Sequence, residues 1–264
     1  MSVREIILKI WVALVYIFLF APIVMVIIMS FSSSKYSTFP LGEFTLKWYK
    51  SAVEDQNLFT AVKNSIFISL TATAGATCIG TLAAMGFVRN RFRAKEILNT
   101  LFLSPMIIPE IIIGIALLSF ATIFLKMQGG FFLIVIGHTL IGLPFVLTVV
   151  SSRLHGFDRS LEEAAMDLGA NEMITFRRIT LPLIMPGIVA GALLAFTISF
   201  DNFLITYLLA GPKLMTIPVE IYSMVRFEIN PKIHAFSSFI IMISVTLIII
   251  HQKIVKPTTS KQKK

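Results

Sequence analysis

Two carboxylates stand where carboxylates are costly. Glu110 and Asp201 both fall inside long apolar runs, and an ionisable side chain at such depth marks a substrate pathway or a helix end that its charge complements. For Glu110 both readings are open. Pro109 can start a half-helix whose N-terminal dipole favours an acid. Broken helices also tend to line binding sites, where the same carboxylate would attract a cation. Asp201 lies about 27 Å along its run, near the outer interface; it guards the mouth of a pathway or simply ends a span in solvent. Beside it, Phe196, Phe200, Phe203 and Tyr207 recur at i, i+4, i+7 and i+11. On one continuous helix they form a single aromatic face. Such faces serve packing or lipid contact, yet one next to a carboxylate also suits an ammonium ligand.

Other chemistry is poorly provided for. No Gly-x-x-x-x-Gly-Lys-Ser/Thr loop occurs, so the chain is not expected to cradle ATP phosphates. Ser and Thr are numerous but lie mostly in apolar runs without a plausible base. The single cysteine, Cys78, allows neither a disulfide nor a Cys-based cluster within the chain. His138, His155, His234 and His251 are scattered with no i, i+4 pair, and no metal site is expected.

The elements that must position these groups are membrane spans. Hydrophobic residues make up 56% of the 264 and mean hydropathy is +0.86, well above soluble proteins. The apolar runs predict six spans, at about 10–34, 64–88, 97–125, 131–152, 183–205 and 234–250, in one membrane domain covering 1–264. The first is read as a retained span, since its core is too long for a signal peptide and no small-x-small cleavage site follows. Residues 35–63 read as a polar loop with Trp48 and Tyr49 as interfacial aromatics, and residues 253–264 as a disordered basic tail. The third run, as one straight helix, would measure about 43 Å against roughly 30 Å of hydrocarbon. A break is therefore expected at Ser104-Pro105-Met-Ile-Ile-Pro109. Ala72, Ala76, Gly80 and Ala84 form one close-packing stripe, and Gly187, Gly191 and Ala195 another. A short helix is expected over 219–227, before Asn230-Pro231.

The formal charge of +9 raises the question of nucleic acid, but its distribution follows the spans. With six crossings both termini share a side, and roughly two-thirds of the 23 Lys and Arg fall there, which makes that side cytoplasmic. The basic cluster Arg89-Asn-Arg91-Phe-Arg93-Ala-Lys95 is then a topology anchor beside anionic lipid.

One polar stretch on that side is unlike the rest: residues 159–182. Ser160 as N-cap and Glu163 three residues on predict a capping box. Leu161, Ala164, Ala165 and Leu168 share one face, which needs something to lie against. Gly169 suits a left-handed stop. A second short segment carries Met173, Ile174, Phe176 and Ile179 and is expected to end at Pro182.

Glu163-Ala164-Ala165, Gly169 and Ile179-Thr-Leu181-Pro182 resemble the EAA loop of ABC-importer permeases. Further likeness, from about Pro22 to Ser237, is to the permeases of spermidine/putrescine importers. It is carried by Phe31-Ser-Ser-Ser-Lys35, Lys47-Trp-Tyr49, Arg91-Phe-Arg93, Ser104-Pro105, Leu143-Pro-Phe145, Gly156-Phe-Asp158, Ser199-Phe-Asp201 and Ile221-Tyr-Ser-Met224.

The resemblance implies an all-α integral membrane protein with the type I ABC-importer permease (MetI-like) fold, in a bacterial cytoplasmic membrane. Its cytoplasmic coupling helix would carry Glu163, Ala164, Ala165, Asp167 and Gly169. Glu110, Asp201, Phe200 and Tyr207 would line the path of a polyamine. The implied partners are ATPase subunits that bind ATP and Mg, a second permease, an extracytoplasmic binding protein and lipid. No cofactor in this chain, no enzymatic activity of its own and no nucleic acid are implied. Another small solute such as iron or thiamine is the alternative within the class. A stand-alone secondary transporter or channel, which predicts inverted repeats and several intramembrane charges, is the alternative outside it.

Overall fold

The computed structural model describes residues 3–34, 42–156, 158–211, 214–227 and 231–242. Among them every regular element is helical apart from one antiparallel bridge between Ser32 and Phe44. The helices are α1 (Val3–Met29), α2 (Lys47–Val53), α3 (Gln56–Arg89), α4 (Lys95–Leu103), α5 (Glu110–Ile123), α6 (Phe131–His155), α7 (Ser160–Asp167), α8 (Glu172–Thr175), α9 (Leu181–Phe200), α10 (Leu204–Leu209), α11 (Ile217–Phe227) and α12 (Lys232–Met242).

Among the described residues α1, α3, α6 and the run 172–200 that joins α8 to α9 are each long and apolar enough to cross a membrane. The pair α4 and α5 makes a fifth if its 106° bend is counted as one span. The expected sixth, 234–250, is described only to Met242, within α12; the rest of it and the tail lie outside the described residues. The 34 residues of α3 measure about 51 Å, so it outruns the expected 64–88 at its N-terminal end. The bend falls where the prolines predicted it. Ser104–Met106 forms a single tight turn with Pro105 at its start. Pro109 then stands extended at φ −54°, ψ 131°, and the helix restarts at Glu110.

Three boundaries differ from expectation. Residues 35–63 are not all loop, because α2 and the first turns of α3 lie within them. Pro182 does not end a helix. Residues 176–180 wind as a π-helical turn, which takes up the register change, so Pro182 sits in the first turn of α9, where a missing N–H is tolerated. The fifth span stops at Phe200 rather than 205, with α10 starting separately at Leu204.

The chain divides into two units, residues 60–220 and residues 1–59 with 221–264. In the first, α6 is central and packs most extensively on α9. Its C-terminal half builds a core of Val146, Leu147, Val150 and Leu154 with Ala76, Ala84, Ile184 and Ala195. Its N-terminal half packs Leu133, Ile134 and Ile141 with Ala121, Ile205 and Leu209. Both small-residue stripes close on α6. A Cβ at Gly80 would meet Val146 at 2.9 Å, and one at Gly191 would meet the Val146 backbone at 3.1 Å, so Val146 is held between two helices that approach because they lack side chains there.

In the second unit the chain returns on the end of α1. Trp48 Nε1 donates to the Ser32 carbonyl at 2.9 Å, Ser30 and Tyr49 hydroxyls meet at 2.7 Å, and the Phe31 ring lies against Phe44 and Tyr49. Lys232 Nζ bonds Asp55 Oδ2 at 2.7 Å, tying the start of α12 to the start of α3. Burial pushes the Asp55 carboxyl up, but hydrogen bonds from Lys232 and from the Asn57 and Leu58 N–H groups outweigh it and hold the group below its usual range. A depressed folded value stabilises above the unfolded one, near 3.9, and that contribution is lost as pH falls through the folded value. Asp55→Asn is therefore expected to cost about 1 kcal/mol at neutral pH. Thermal unfolding in detergent should show that gap closing below about pH 4.

Candidate functional site

The stretch 158–182 is built from its ends inward. Ser160 is not the N-cap. It is the first residue of α7, and its N–H is taken by Asp158 Oδ1 at 3.0 Å, so an Asx-type turn two residues upstream replaces the expected capping box. That bond holds the exposed Asp158 carboxyl below its usual range. Glu163 is left exposed. At the other end Gly169 adopts φ +88°, and its N–H reaches the Met166 carbonyl while Ala170 N–H reaches Ala165. This is a Schellman stop, with empty space around a notional Cβ, so backbone conformation alone demands glycine. Asn171 then accepts from Ile174 N–H at 2.9 Å and starts α8.

No residue of α7 is buried. Leu161 and Met166 are exposed and Leu168 is 90% exposed, so the apolar face read from the sequence is uncovered in this chain. What anchors α7 is polar. Glu162 Oε1 pairs with Arg89, the last residue of α3, and accepts from the Thr180 hydroxyl. Arg89 also donates to Thr180 at 3.3 Å, and Arg159 donates to the Val88 carbonyl at 3.3 Å. Arg89, Glu162 and Thr180, with Met166, Glu172, Thr175 and Phe176, line a cleft of about 260 Å³. Sequence reasoning singled out Glu163 and passed over Glu162. No local signal marked Glu162, because the partner that gives it a role, Arg89, lies 73 residues away.

The expected pathway residues do not all meet. Asp201 is exposed where α9 ends. Glu110 is engaged instead by its neighbour Asn202, whose buried carboxamide donates to Glu110 Oε2 at 2.8 Å and accepts from Ile205 N–H at 2.9 Å. Asn202 thus starts α10 while it holds the first residue of α5. The break at 201–203 also divides the aromatic stripe, which assumed one helix. Phe196 and Phe200 stack at 5.6 Å, and Phe203 and Tyr207 at 5.3 Å, as two separate pairs. The arrangement presents a half-buried carboxylate, secured by a neutral donor at two helix interruptions. Such a group can attract a cation while its orientation is fixed.

Residues 76–261 match the family described as binding-protein-dependent transport system inner membrane component. The chain belongs to this family. It is a multi-pass membrane permease. Among similar proteins, the spermidine/putrescine transport system permease protein PotC of Escherichia coli (strain K12) is 36% identical over 93% of this chain and 92% of its own length. The putrescine transport system permease protein PotI of the same strain is 38% identical over 86% and 82%. PotC of Haemophilus influenzae is 33% identical over 92% and 93%. Among solved structures, the fold is shared with a chain of a bacterial ABC transporter that imports the acidic polysaccharide alginate, at TM-score 0.72, 17% identity and 97% of both chains. It is also shared with the MetNI methionine ABC transporter, at 0.58, 17% identity, 76% of this chain and 97% of that one. A further alginate transporter structure, in complex with a periplasmic protein, matches at 0.70 and 17% identity over 94% and 91%.

Proposed function

We propose that the permease is a subunit of an ATP-driven importer that carries a polyamine of the spermidine/putrescine class by alternating access. Helix α7 is the seat of a separate ATPase, with Glu163, Ala164, Ala165, Asp167 and Gly169 as the coupling residues. The observation that carries this reading is α7 itself, whose apolar side chains are exposed at a place fixed to the helix bundle by one polar cluster. A surface helix of eight residues is marginal alone in water and gains its order by docking.

The remaining parts follow from this seat. ATP and Mg belong to the ATPase chains, since no phosphate-binding loop is present in this sequence. A second permease completes the pathway, and an extracytoplasmic binding protein delivers the solute. The Lys and Arg distribution supports both termini on the cytoplasmic side. The polyamine assignment is supported by the names of the relatives and by the Glu110 carboxylate; Asp201, Phe200 and Tyr207 belong to the same pathway.

The test is uptake by vesicles holding the whole importer. Gly169→Pro removes a positive φ and a donated N–H together, and Ala164→Asp puts a charge on the exposed, docking side. Each is expected to abolish spermidine uptake and stimulated ATP hydrolysis, with membrane insertion unchanged on blots. Undiminished uptake in both removes α7 from the coupling path.

A further inference from the structure

The interruption between α9 and α10 is bridged by a histidine from a third helix. His138 of α6 is 2% exposed. Its Nδ1 lies 2.7 Å from Ser199 Oγ, in the last turn of α9, and its Nε2 lies 3.0 Å from Thr206 Oγ1, in the first turn of α10. The direction of the protons follows from the partners. The Thr206 hydroxyl donates to the Asn202 carbonyl at 3.1 Å, which leaves its oxygen to accept, so the imidazole proton sits on Nε2. Nδ1 of the neutral ring is then an acceptor and takes the Ser199 hydroxyl proton. Asn202 continues the run to Glu110 through its side-chain amide. From Ser199 to Glu110 no buried side-chain polar atom is left unpaired.

We propose that His138 is a positioning residue for the cation pathway. It clamps both sides of the α9–α10 interruption and so fixes the Asn202 carboxamide against the Glu110 carboxylate. This rests on the assignment of Glu110 to the pathway made above. The physical reason is the backbone at Asn202, whose N–H makes one long bond to the Ser199 carbonyl three residues back, at 3.4 Å, and whose carbonyl takes the Thr206 hydroxyl. A fully paired polar network in an apolar surround holds one arrangement, whereas a network with one member missing leaves buried groups unsatisfied and free to re-pair. A histidine that merely filled space would be indifferent to which ring nitrogen is reproduced.

That difference can be measured. A glutamine amide reaches the place of Nε2, and an asparagine amide reaches only that of Nδ1. With glutamine the released Ser199 hydroxyl, inside α9, can turn back to a carbonyl of its own helix, whereas with asparagine nothing replaces the donor that ties Thr206 to α6. In the complete importer, at matched amounts in vesicles, His138→Asn is expected to lower spermidine taken up per ATP hydrolysed about tenfold. His138→Gln should stay within about threefold of wild type. Thr206→Val and Thr206→Ser, which lose and keep the hydroxyl, should divide in the same way, so the test survives if a histidine variant does not accumulate.

A second readout needs no substrate. Ile205 is fully buried in the turn that Asn202 starts, and Ile205→Cys in a Cys78→Ser background reports its opening to a maleimide. Labelling should rise about tenfold with His138→Asn and not with His138→Gln. Equal behaviour of the two variants in both readouts overturns the proposal. Should wild-type vesicles take up neither spermidine nor putrescine, the polyamine reading fails and the labelling alone decides whether His138 holds the interruption.

Discussion

Glu162→Arg is expected to abolish spermidine uptake and binding-protein-stimulated ATP hydrolysis together, and Arg89→Glu in the same chain to restore both to within about threefold. What holds α7 is polar. The helix buries no side chain of its own, so packing does not fix it to the spans. Beside the backbone and the Arg159–Val88 bond, force arriving on α7 passes through Glu162 to the end of α3 and, by Thr180, to the π-helical turn before α9. Removing one charge leaves its partner uncompensated. The side chains are 30% and 14% exposed, so solvent screens part of the loss, which is about 2 kcal/mol, or about thirtyfold. Reversal adds repulsion to that loss. Rescue by the double exchange separates a transmitted contact from a general defect, because a misfolded single variant would not be repaired by a second disruptive change. If Glu162→Arg transports normally, or if the exchange fails while both chains assemble with the ATPase, the Arg89–Glu162 contact carries no force.

How much of this was legible beforehand depends on the range of the interaction. Gly169 and the Pro105–Pro109 bend were readable because each is decided within a few residues, by a positive φ or by missing N–H groups. The small-residue stripes were readable as periodicity, although only the fold shows that both close on Val146. The capping box failed locally, since Asp158 and Ser160 were both good caps and the earlier one won. The break after Phe200 was hidden for a different reason. The sequence Phe200-Asp-Asn-Phe-Leu-Ile carries neither glycine nor proline, and its helical pattern continues through it. What interrupts it is tertiary: Asn202 turns to Glu110, 92 residues away, and His138 pins both sides. Arg89 and Glu162, 73 residues apart, were likewise beyond any local rule.

The same distinction orders the two carboxylates. Glu110→Gln is expected to lower spermidine uptake about thirtyfold, while Asp201→Asn costs less than about threefold. Glu110 opens a 14-residue helix, where the backbone dipole favours negative charge. Its one described side-chain partner is the neutral Asn202 amide, which orients the carboxylate without compensating its charge. An ammonium group arriving there replaces its hydration with a charge-assisted bond in a low-dielectric surround, worth about 2 kcal/mol. Asp201 is exposed, so water already satisfies it and a passing cation gains little. Glutamine keeps the size of Glu110 and can still pair with Asn202, so the substitution isolates the charge from the packing. Uptake is measured at saturating binding protein, with ATP hydrolysis followed in parallel. Hydrolysis should persist in Glu110→Gln, because α7 and its anchors are untouched. Equal wild-type uptake in both variants would remove the carboxylates from the path of the cation, and a larger loss in Asp201→Asn would move the site from the two helix interruptions to the exposed end of α9.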